Sequence, residues 1–175
     1  MKPENGSKIA LLVIDVQQGL FQKSHPIYKA DEILNNINSL VERAHQAGVP
    51  VFYIQHSDQR DLAQGSEGWQ LHPRLHPVEA DGFIFKQKSN SFEDTNLDEV
   101  LKSKGIDSLV ITGLVTHGCV KNGCIGAKQL GYKVTLVQDT HSSYSAKAAQ
   151  LIEEWNQKLA AENVDLKSAV EIVFT

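Results

Sequence analysis

A chain of 175 residues with 41% hydrophobic and 22% charged side chains can bury one core and has the composition of a globular protein. A net charge of −4, with no basic run beyond a dipeptide, argues against nucleic acid as the main partner. Two cysteines, no apolar stretch of membrane-spanning length and an N-terminal MKPENGSK without an apolar core point to a cytoplasmic protein that engages no membrane and carries no structural disulfide.

In chain order, KIALLVIDV (Lys8 to Val16) is a near-continuous apolar run, as expected of a strand covered on both faces. Between Ala30 and Gly48, the residues Ile33, Leu34, Ile37, Leu40, Val41 and Ala44 recur at helical spacing, and Gly48 supplies a stop. VPVFYIQH (Val49 to His56) predicts a second strand, and the polar stretch from Asp58 to Ala80 a long loop. GFIFK (Gly82 to Lys86) predicts a third strand. Thr95 is expected to cap a helix through Lys104, with Asp98 as the acidic partner of a capping box and Gly105 as terminator. DSLVITG is the fourth predicted strand, Cys119 to Leu130 a helix, YKVTLVQD the fifth strand, Ser145 to Ala161 a helix and AVEIVF a last strand. No repeat or linker divides the chain, so residues 1–175 are read as one domain. Strands alternating with helices predict a three-layer α/β/α fold around a mostly parallel six-stranded sheet.

Ligands of open parallel sheets sit outside the carboxyl ends of the strands. The polar residues predicted there are Asp15, Gln55 and His56, Lys86, the Gly113–Cys119 turn, and Asp139 with His141. Singly, each has an ordinary explanation. Asp15 could cap a loop, Lys86 could reach solvent along its stem, and Cys119 could be an inert core residue. Cys119 could equally be a nucleophile, because a thiolate is favoured where a strand turns into a helix N-terminus. Together, a carboxylate, a lysine and a cysteine at one sheet edge supply a base, a cation and a nucleophile. Cys124 would point elsewhere on the same helix and reads as packing.

The segments LLVIDVQQGLF, GVPVFYIQH, FKQKSNSFEDTNLDEVL, VITGLVTHGCV and GYKVTLVQD together resemble the isochorismatase-like cysteine hydrolases, whose members include nicotinamidases and N-carbamoylsarcosine amidases. The specific part is the ordered set D-x-Q (Asp15, Gln17), K-x5-F-x2-T-x-L from Lys86, and G-x2-T-x2-C-V from Gly113. The resemblance implies Asp15 as general base, Lys86 as charge-stabilising cation and Cys119 as nucleophile. It also implies a cis bond between Leu114 and Val115, an oxyanion hole from the Val115 and Cys119 amides, and local hydrogen bonding by Thr116. Gln17, Phe21, His56, Trp69, Asn90 and Leu114 are the expected substrate contacts. Asn90 and Ser91 stand where the family usually carries serine and alanine.

The implied reaction is cleavage of a small amide or related C–N bond through a cysteine thioester, on a small-molecule substrate and without a cofactor, in a homo-oligomer (dimer or tetramer). Hydrolysis of an isochorismate-type vinyl ether and noncatalytic small-molecule binding are the alternatives. Nicotinamidases of the family hold a metal on an Asp-x-His…His cluster after strand two. Here His56 and Asp58 occur in the reverse order, and no histidine follows until His72, so the metal-free reading ranks first. In GWQLHPRLHP, Trp69, His72 and His76 could line a pocket or simply pack a loop. A dinucleotide site is excluded, since DVQQG replaces the glycine-rich turn after strand one.

Overall fold

The computed structural model describes residues 6–175; the N-terminal Met1–Asn5, part of the segment read as lacking an export signal, lies outside the described residues. Six strands, β1 (Ile9–Ile14), β2 (Val51–His56), β3 (Gly82–Lys86), β4 (Ser108–Leu114), β5 (Lys133–Ser142) and β6 (Asp165–Lys167), form one sheet in the order β3-β2-β1-β4-β5-β6. Every pairing in it is parallel. The helices are α1 (Ala30–Gln46), α2 (Leu97–Ser103), α3 (Lys121–Gln129) and α4 (Ala148–Ala161).

The near-continuous apolar strands follow from burial on both faces. In β1 the side chains alternate between two cores: Ala10, Leu12 and Ile14 join Leu97, Leu101, Cys124, Ala127 and Leu159 under α2, α3 and α4. Leu11 and Val13 join Ile33, Leu34, Ile37, Leu40 and Val41 under α1. The helical spacing of the α1 residues is thus the stripe that seats this helix on the sheet. With each apolar face covered, the sheet is the middle of three layers.

Strand order makes the chain reverse direction once. From β1 it proceeds outward to β2 and β3, then returns to the other side of β1 as β4 and proceeds to β5 and β6. The β1/β4 boundary is therefore the switch point, where the loops diverge and leave a crevice at the carboxyl ends. Asp15 leaves β1 there with φ 52°, and Gly113, paired with Ile14, has φ 123°. A Cβ at Gly113 would lie 2.0 Å from the Ile14 carbonyl oxygen, so only glycine lets the two strands close up at this point.

Four expectations need correction. AVEIVF is not a strand: Ser168 and Glu171 form a capping box around a 3-10 turn (Ala169–Glu171), with Ala169 and Ile172 buried and Val170 and Val173 exposed. The sheet edge is instead taken by the short polar segment Asp165–Lys167. Strand β5 runs on through His141 and Ser142 after a register shift against β4, so α4 begins at Ala148 rather than Ser145. Finally, α2 has Asn96 at its N-cap without a side-chain bond. Thr95 Oγ1 does accept the Leu97 amide, but Asp98 pairs with Lys102 and Tyr132.

Candidate active site

Asp15, Lys86 and Cys119 arrive from the ends of three different strands and meet in one buried cluster. Lys86 ends β3 facing inward, its side chain fully buried. Its Nζ lies 3.2 Å from Asp15 Oδ2, 3.2 Å from Cys119 Sγ, 3.0 Å from His56 Nδ1 and 3.1 Å from the Lys88 carbonyl. An ammonium has three N–H groups, so four acceptors share three donors. The other Asp15 oxygen, Oδ1, is buried and unpartnered. Such a bare oxygen is costly in a resting core and suits an acceptor that awaits a proton.

Cys119 does not begin the α-helix. Thr116–Val120 forms a π-type turn interrupted at Gly118 (φ −121°, ψ −111°), and α3 starts only at Lys121. The Leu114–Val115 peptide that leads into this turn is cis. Burial, and next the Asp15 carboxylate, push the Cys119 thiol up to about 11, and the Lys86 ammonium opposes them. Burial and Asp15 thus favour a thiol over the thiolate expected from a helix N-terminus. Cys124, fully buried in the core under α3, is pushed up to about 12 by burial alone.

His56 is lowered by burial and by Lys86. The Lys86 ammonium carries no lone pair, so His56 Nδ1 accepts and its proton resides on Nε2. His56 also borders a polar cleft of about 640 Å³ with Ser57, Asp58, Arg60 and Gln87 on its walls.

Ligand-type atoms of Asp15, His56 and Cys119 lie within 4.8 Å of one another, close enough to share an ion. Lys86 Nζ, however, is hydrogen-bonded to all three, so the cluster already holds its positive charge. Asp58 is engaged by the Arg60 and Leu62 amides and His72 Nδ1 by the Arg74 amide.

The other expected contacts divide. Gln17 is buried and its amide is consumed: it donates to the His56 and Trp69 carbonyls and accepts from the His56 amide. It ties the end of β2 to the long loop instead of meeting a ligand. Asn90 accepts the Phe92 amide and packs on Gly126, serving the turn rather than the pocket. Leu114 is fully buried beside Leu20, Ile27 and Leu62 and offers no free surface. Phe21 is half-buried against His72, and Trp69 is half-buried against Phe85 with its indole N–H buried and unpartnered. Thr116 does not bond locally: its hydroxyl meets His141 Nδ1 at 2.8 Å, and His141 Nε2 meets Asn156 at 2.7 Å. Sequence reading missed Ser89, whose hydroxyl approaches Cys119 Sγ at 3.7 Å, and Asn122, which donates to that hydroxyl. Nothing in KQKSNS singles out Ser89, because its neighbour depends on how the turn after β3 folds over α3.

A family model of the isochorismatase domain matches residues 9–162. The chain belongs to the isochorismatase family. It is 30% identical over 142 residues to a streptothricin hydrolase from Streptomyces noursei, covering 80% of this chain and 51% of that protein. The chain therefore spans about half the length of that relative. It is 27% identical over 157 residues to an N-carbamoylsarcosine amidase from Arthrobacter sp, covering 77% and 60% of the two chains. A crystal structure of an isochorismatase from Pseudomonas putida superposes with a TM-score of 0.88 at 25% identity, over 94% of this chain and 90% of that one. Two of these relatives carry the names of a hydrolase and an amidase.

Proposed function

We propose that this isochorismatase-family chain cleaves a small amide or related C–N bond through a thioester on Cys119. The observation that carries this reading is the Lys86 ammonium held 3.2 Å from both the Asp15 carboxylate and the Cys119 sulfur inside a buried site. A relative whose name is an amidase supports the choice of bond.

Burial and Asp15 favour the thiol, so attack calls for a base. Cys119 Sγ attacks the carbonyl carbon as its proton passes to Asp15, whose Oδ1 has no other partner. Negative charge moves from sulfur to the carbonyl oxygen, where we assign the Val115 and Cys119 amides as donors. Asp15 then gives the same proton to the leaving nitrogen, the C–N bond breaks and an acyl thioester remains. Water, deprotonated by Asp15, hydrolyses the thioester, releases the acid and restores the thiol. Lys86 contributes differentially: a neutral thiol accepts a hydrogen bond poorly and a thiolate strongly, so its N–H is drawn to sulfur as charge develops.

The test is a screen of small amides, carbamoyl compounds and isochorismate against the wild type and Cys119→Ala. Turnover in the wild type, with an acyl mass on Cys119 after acid quench, is expected. Cys119→Ala should lose at least about 10³-fold in rate. Activity retained by Cys119→Ala would refute the mechanism. A substrate found to be a vinyl ether instead of an amide would refute the choice of bond.

A further inference from the structure

We propose that Ser89 is a further catalytic residue, a neutral donor that shares the Cys119 sulfur with Lys86 and is aimed by Asn122. This rests on the reading of Cys119 as nucleophile. Ser89 lies in the turn after β3, three residues beyond Lys86, and Asn122 in the first turn of α3, three beyond Cys119. Asn122 Nδ2 donates to Ser89 Oγ at 2.7 Å. That bond occupies a lone pair of the hydroxyl and leaves its single proton free. The acceptor within reach is Cys119 Sγ at 3.7 Å. Both side chains are half-buried, so each keeps its orientation without being part of the core.

The arrangement completes the inventory around sulfur. The thiol proton has an acceptor in Asp15, and the sulfur has two donors, one charged and one neutral. The two donors act differently. Lys86 is shared with Asp15, His56 and the Lys88 carbonyl, so its contact with sulfur competes with three others. Ser89 has no such competitor among the described residues and holds the sulfur in place. It also stabilises the thiolate without adding a second buried cation beside Lys86. The charged and titratable groups that face the sulfur are Asp15 from β1, His56 from β2 and Lys86 from β3.

The experiment follows alkylation of Cys119 by iodoacetamide across pH, scored by mass spectrometry against Cys124 in the same chain. Ser89→Ala should slow Cys119 labelling about tenfold below the thiol titration, with the wild-type rate regained at high pH, since one hydrogen bond to a charged group is lost. Ser89→Thr keeps a hydroxyl and should restore the wild-type profile. Asn122→Ala should show a smaller loss in the same direction and add nothing in the Ser89→Ala background. Labelling of Ser89→Ala that matches the wild type at every pH would overturn the role of Ser89. A full additive loss from Asn122→Ala would overturn the aiming role. Cys119 labelling no faster than Cys124 in the wild type would instead sink the nucleophile itself, and Ser89 with it.

Discussion

Asp15 does two opposing things to Cys119, and the two can be separated by one substitution. As an anion it raises the thiol, second only to burial. As the proton acceptor of the proposed mechanism it makes the attack possible. Asp15→Asn keeps the shape and removes both. The expected outcome is a Cys119 that titrates lower and alkylates faster than in the wild type, while hydrolysis falls by about 10²–10⁴-fold. A stopped-flow alkylation series beside an activity assay checks both halves. Slower alkylation in this variant would mean that the carboxylate assists sulfur in the ground state as well. Lys86 obeys the complementary logic, since it lowers the thiol and pairs with Asp15, so its removal would leave an uncompensated buried carboxylate.

At the level of elements, the site depends on how closely β1 and β4 approach. Gly113 faces Ile14 in register, and a Cβ there would meet backbone, which cannot swing aside. Gly113→Ala combines that collision with a φ of 123° that an L side chain rarely adopts, and should cost at least about 3 kcal/mol. A urea titration by circular dichroism measures it; a loss below 1 kcal/mol would show that the two strands can part. Much of this was readable beforehand. Apolar runs alternating with a helical stripe gave the layers, and the rule that loops at carboxyl ends carry chemistry placed Asp15, Lys86 and Cys119 together. What escaped were contacts made across sequence distance. Gln17 was expected as a substrate contact from the resemblance carried by D-x-Q; its amide is instead consumed by the backbone of His56 and Trp69. Thr116 and His141 find each other only because β5 runs on past its register shift. AVEIVF misled because Val170 and Val173 look like strand residues, whereas burial in that segment falls on Ala169 and Ile172, three apart.

The whole molecule carries its own pH signature through His141. Burial lowers this imidazole to about 4, against about 6.5 for an exposed histidine. Above pH 6.5 it is neutral in both folded and unfolded chains and stability is complete. As pH falls from about 6.5 towards 4, the unfolded chain takes up a proton that the folded one refuses, and stability drops by about 3 kcal/mol across that window. Below it this contribution stays constant. Asp58, Asp98 and Asp107, all lowered, lose their share only at more acid pH, so the windows are distinct. Urea midpoints measured from pH 7.5 to 4 should slope downward, and His141→Gln should flatten the slope; an unchanged slope would assign it to other groups. His56 and His72, lowered in the same direction, leave a smaller residual slope.

The order of the strands gives the three reacting groups unequal security. Asp15 and Cys119 follow β1 and β4, the two central strands, but Lys86 closes β3, an edge strand, whose Phe83 and Phe85 are exposed. An outer strand is held by one neighbour, and opening it costs less than melting the centre. Loosening of this rim by denaturant or heat is therefore expected to draw Lys86 away from Asp15 and Cys119 while the central strands still hold. On the proposed mechanism, turnover is expected to report the integrity of this border sooner than any measure of the bulk.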